Sequence, residues 1–144
     1  MHGCHVISRL PNKPNISYSV MKKSDNHLDV LQPLIDDLCS KQVKSKRCIV
    51  FCCTCDDTMK LFQTMVLELN KRNSLYSEDS GKKGRLCDKF DGCTAESKII
   101  EDFTRTDGNI HVVFATVAFA MSLDLSNIRW VIHWGPPTDT ELYI

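Results

Sequence analysis

Residues 109–137 read NIHVVFATVAFAMSLDLSNIRWVIHWGPP. Two apolar runs, residues 110–115 and 129–134, are dense in Val, Ile and aromatic residues. They are too short for buried helices and have the length of buried strands. The segment between them carries Thr116 and Asp124. In open parallel sheets, ligands sit beyond the carboxyl ends of the strands, where such loops emerge. The pattern predicts a strand–loop–strand unit with polar groups on that rim.

The rest of the chain alternates in the same way. Residues 15–20 (NISYSV) read as a strand after Pro14. Residues 25–42 read as a helix with Leu28, Leu31, Leu34, Ile35 and Leu38 on one face, and Pro33 either kinks it or marks its first turn. Residues 48–53 (CIVFCC) are wholly apolar, the signature of a strand covered on both faces. Residues 56–72 read as a second helix with Met59, Phe62, Met65, Val66 and Leu69 inward. Residues 74–85 read as a polar loop and 86–90 as a weak strand. Residues 94–106 read as a third helix, with Thr94 as its cap and Ile99, Ile100 and Phe103 on its buried side. Strands alternating with helices predict an α/β fold with a mainly parallel sheet and helices on both faces.

A chain of 144 residues predicts one domain with an adequate core. Eighteen basic and eighteen acidic residues leave no net charge, so any contact with nucleic acid must come from a local patch. Residues 1–15 lack the apolar centre of a secretory signal, and no apolar run approaches the ~20 residues of a membrane span. An intracellular, reducing setting is therefore expected for the eight cysteines. Cys52, Cys53 and Cys55 cluster, but a structural zinc needs four ligands and no second close pair exists, so they read as thiols at a strand end and no zinc is expected. His133 and Trp134 read as packed strand residues, and Phe119 and Met121 as core. The run 44–47 (KSKR) reads as a solvated loop, while Lys82, Lys83 and Arg85 form the better basic candidate for phosphate contact.

Several segments, in order, resemble superfamily 2 helicases, and RecQ-like DNA helicases most closely. Residues 115–124 (ATVAFAMSLD), followed by 126–137 (SNIRWVIHWGPP), resemble that family's motif V and the strand after it. Residues 14–20 (PNISYSV) resemble its entry strand, 49–54 (IVFCCT) its motif IV, and 94–108 (TAESKIIEDFTRTDG) its next helix. The resemblance covers the second RecA-like lobe. It implies a flexible segment at 1–13 and a lobe over 14–144. It also implies that Thr116, with Thr54, Lys82, Lys83 and Arg85, contacts DNA, and that Asp124 and Ser122 contact the nucleotide. The family's two motif V glycines are Ala120 and Ser122 here, which add a Cβ where close approach is needed.

The resemblance further implies an ATP-dependent 3′-to-5′ motor on single-stranded or forked DNA, in the nucleus, with no membrane partner. ATP and Mg²⁺ would be held mainly by a first lobe whose G-x-x-x-x-G-K-[ST] loop is absent here. The capping box at Thr138 and Glu141 precedes the place of the family's arginine-bearing motif VI, so the lobe is expected to be incomplete and inactive alone. A second expectation is a non-enzymatic nucleic-acid or protein-binding module derived from such a lobe. A third is an unrelated doubly wound small-molecule domain, which leaves the ordered motifs unexplained.

Overall fold

The computed structural model describes residues 15–17, 19, 26–77, 84–90, 96–116 and 127–135. Helix α1 spans His27–Lys41. It starts where the Asn26 side chain accepts the Leu28 N–H at 3.1 Å, satisfying one of the orphan donors of the first turn. Pro33 lies inside the helix on its exposed side and is not its start. Leu31, Leu34, Ile35 and Leu38 are buried, and Leu28 is partly buried against the same cluster.

Strand β1 (Cys48–Cys52) is buried at every position. Helix α2 (Cys55–Lys71) follows at once. A hairpin of β2 (Tyr76–Ser77) and β3 (Gly84–Arg85) precedes β4 (Cys87–Phe90). Helix α3 (Glu96–Thr104), β5 (Val112–Thr116) and β6 (Trp130–Trp134) complete the described elements. The main sheet is four-stranded in the order β4-β5-β1-β6, and every pairing is parallel. This is the α/β architecture that the alternation predicts and the RecA-like lobe that the resemblance implies.

Because successive strand residues face opposite ways, β1 feeds two cores. Cys48, Val50 and Cys52 join α1 and α2 in one cluster with Leu61, Met65 and Phe114. Ile49 and Phe51 join Phe103, Val113 and Ala115 in the other, on the α3 side. The helices therefore cover both faces, which is why CIVFC can be apolar throughout.

The structure corrects several expectations. No strand forms at the described residues 15–17 and 19. The polar segment after α2 is partly a hairpin, paired Tyr76 to Arg85 and Ser77 to Gly84. On α2, Met59 is exposed and Leu61 is buried, with Thr58, Phe62, Met65 and Leu69. The inward stripe is thus centred one row away from the one that Met59 implied. Arg47 is no solvated loop residue: it is 8% exposed, and its guanidinium donates to the carbonyls of Phe103 and Arg105. Those carbonyls end α3 and need donors from outside the helix. Its neighbour Lys46 lies over the Trp130 ring at 5.3 Å. The expected cap Thr94, the core residues Phe119 and Met121, and the capping box at 138–141 lie outside the described residues.

Candidate nucleic-acid interface

In the sheet register, Cys52 of β1 is opposite Thr116 of β5 on one side and Trp134 of β6 on the other. All three strands thus end on one rim. Thr116 is the half-buried last residue of β5, where the chain leaves the sheet. Two residues past Cys52, Thr54 caps α2: its hydroxyl accepts the Asp57 N–H at 3.1 Å. A hydroxyl that accepts at its lone pair keeps its own proton for another partner. The first-turn N–H groups of α2 also open onto this rim, and such a helix start favours anions. Asp56 and Asp57 in that first turn act against it.

Around these groups the rim is tightly held. Gly135 follows β6 with φ of +86°, a conformation that disfavours any side chain. Cys53 Sγ lies 3.8 Å from the Trp134 carbonyl. The Trp134 ring meets His27 edge-on at 5.2 Å, tying the start of α1 to the end of β6. His133 packs against Phe51 at 5.4 Å, and burial lowers its pKa, as fits a packed residue.

The two threonines of the expected interface therefore share one rim. Arg85 does not join them. It lies in β3, just before β4 begins, beyond the opposite ends of the strands, with its guanidinium 5.6 Å from the Phe62 ring and a buried Nε that has no hydrogen-bond partner. Lys82, Lys83, Ser122 and Asp124 lie outside the described residues. Among the described residues no group of three or more His, Cys, Asp or Glu could hold a metal ion. The rim offers hydroxyls and N–H groups that suit phosphate oxygens. No helix among the described residues is long and apolar enough to cross a membrane. The sequence reading puts Arg47 in a solvated loop and gives no site role to Arg129 or His111, yet the three gather at the other rim. The signal was their place one residue before each strand, readable only once the register is known.

A parallel sheet covered on both faces, ending on a rim of threonine hydroxyls beside a helix start, is the architecture of a RecA-like lobe. The model of the helicase conserved C-terminal domain matches residues 26–144, and the chain belongs to that family. It is 27% identical over 133 residues to ATP-dependent DNA helicase Q1 of Rattus norvegicus, which covers 92% of this chain and 19% of that protein. It is 29% identical over 139 residues to the ATP-dependent rRNA helicase SPB4 of Saccharomyces cerevisiae, covering 95% and 21%. It is 26% identical over 141 residues to ATP-dependent DNA helicase RecQ of Pasteurella multocida, covering 96% and 19%. The chain spans about a fifth or less of the length of the curated relatives it matches. DNA and rRNA helicases match at similar identity, so the likeness defines a helicase lobe and not the RecQ type.

Proposed function

We propose that this chain is the second motor lobe of an ATP-dependent helicase of RecQ type that tracks 3′ to 5′ along single-stranded DNA. The observation that carries the reading is the shared rim of Thr116 and the capped start of α2 at Thr54. Thr116 and Thr54 hold consecutive backbone phosphates, and the rigid parallel sheet fixes the spacing between them. A first RecA-like lobe would hold most of the ATP and Mg²⁺ whose hydrolysis would drive the two lobes together, and Asp124 and Ser122 are the residues of this chain assigned to the nucleotide by the likeness to motif V. The ordered likeness to motifs IV and V over residues 49–54 and 115–124 supports DNA as the polymer. Nuclear location and forked substrates follow from the same likeness.

Two measurements test this. Fluorescence anisotropy with labelled single strands should show salt-dependent binding, tighter for DNA than for RNA. DNA-stimulated ATP turnover by the chain alone should stay at background, and turnover above it would overturn the half-motor reading. The replacement of two motif V glycines by Ala120 and Ser122 favours a second reading, a binding module without a motor. In that case strand affinity is unchanged by ATP when a first lobe is supplied.

A further inference from the structure

Three adjacent strands each begin one residue after a basic or imidazole side chain. His111 precedes Val112 of β5, Arg47 precedes Cys48 of β1, and Arg129 precedes Trp130 of β6. Val112, Cys48 and Trp130 are register partners. The three residues therefore form a row across the amino-terminal rim, with neighbours about 4.8 Å apart across the strands. The alternation of faces sets this row on the α3 side, because Ile49 and Val113, two residues on from Arg47 and His111, pack there. The row lies opposite the rim of Thr116, roughly 17 Å away along a five-residue strand.

A shallow, open depression of about 240 Å³ lies at this row, lined by Ser45, Arg47, Thr106, His111, Asn127 and Arg129. Every lining side chain is polar, and none is acidic. Ser45, Arg47 and His111 are buried, at 7%, 8% and 3% exposure. Three of the five buried polar or charged residues among those described thus gather here. His111 Nδ1 donates to the Asn109 carbonyl at 2.7 Å, which leaves Nε2 as an acceptor in the neutral ring and as a donor to an anion in the imidazolium. Burial lowers the pKa of Arg47, against the fields of Asp102 and Asp107, so an anion here repays a desolvated cation.

The nearby acids are already engaged. The Asp102 carboxylate accepts the N–H groups of Asn109 and Ile110 at 2.9–3.2 Å. Asp107 takes the Arg105 guanidinium at two points, 3.0 and 2.9 Å. Arg129 is exposed at the mouth and forms no ion pair among the described residues. Its planar fork suits two oxygens of one tetrahedral oxyanion.

We propose that Arg129, with His111 and Arg47 on the floor of this depression, forms a phosphate-binding site on the amino-terminal rim, separate from the rim of Thr116. The group it takes is a phosphate ester. Its source is either the backbone of a nucleic-acid strand passing the far end of the lobe or a free mononucleotide. This site does not rest on the helicase reading above, because its residues lie at the other end of the sheet.

The test is two-dimensional NMR of the ¹⁵N-labelled chain, titrated separately with inorganic phosphate, a mononucleotide and a single-stranded oligonucleotide. The amides of Ser45, Arg47, His111 and Arg129, and the Arg129 Nε–H, should shift with inorganic phosphate. Arg129→Ala, an exposed position, should weaken that binding at least tenfold, while Lys71→Ala, on the other face of the sheet, should leave it unchanged. Arg129→Lys should recover only part, since it keeps the charge and loses the fork. If Arg129→Ala also lowers oligonucleotide affinity and reduces its salt slope by about one, the source is a nucleic-acid strand. If only the mononucleotide competes with phosphate, the source is the free nucleotide. Absence of shifts at these residues with all three ligands, or equal shifts in Arg129→Ala, overturns the site.

Discussion

The Arg47 guanidinium donates to the carbonyl of Phe103, joining the residue before the central strand to the last turn of α3 across 56 positions of sequence. A second bond, to Arg105, completes the clasp. Hydrogen bonds to a charged group contribute about 1.5–3 kcal/mol each, and an orphaned carbonyl costs more than a missing one. Arg47→Met keeps the stem and removes both donors. It should destabilise the chain by roughly 2–4 kcal/mol, read as a lower urea midpoint at unchanged slope.

Thr54 has two separable duties. Thr54→Ala should cost about 1 kcal/mol through loss of the α2 cap, whereas Thr54→Asn should keep the cap. If Thr54 also meets phosphate, the asparagine variant should retain stability and still bind single strands less tightly. Paired urea melts and anisotropy titrations check this.

Thr116→Val removes a hydroxyl at nearly constant volume. The position is half-buried at a strand end, so stability should change little. Strand affinity should fall about fivefold, the equivalent of one neutral hydrogen bond of ~1 kcal/mol, and Thr116→Ser should restore it. An unchanged affinity in the valine variant would remove Thr116 from the interface.

The cysteines divide by burial. Cys53 and Cys55 are exposed, whereas burial pushes the Cys48 and Cys87 thiols up to about 12. Alkylation at pH 8 followed by peptide mass spectrometry should label Cys53 and Cys55 first, and Cys48 and Cys87 only on unfolding. The raised values also set a pH dependence. The neutral thiols are favoured in the folded chain, so their contribution is complete below the ordinary value of 9.0 and is lost as pH rises from there towards 12. Cys48→Ala should flatten the alkaline limb of the stability profile.

The elements that could be read from sequence are those whose pattern is local. The unbroken apolar CIVFC run marked β1, and the spacing of Leu31, Leu34, Ile35 and Leu38 marked α1. The threonine at the end of β5 was legible because a strand end in a parallel sheet has a known chemical use. The remainder depended on partners distant in sequence. Met59 and Leu61 both border the apolar stripe of α2, and only the sheet beneath decides which edge is covered. Strands β2 and β3 have two residues each and exist through their mutual pairing. Arg47 looked like a loop cation because the carbonyls that receive it belong to the end of α3. The row of Arg47, His111 and Arg129 needed three strands in register before it was a row at all.

Strand β1 lends alternate residues to the cores on both sides of the sheet. Neither core can melt while the other stays intact, since the two are built on alternate residues of one strand. Heating should therefore give one cooperative transition, with near- and far-ultraviolet circular dichroism falling together. A small substitution at Val50, on the α1 and α2 side, would reach the α3 side through the strand that both cores share.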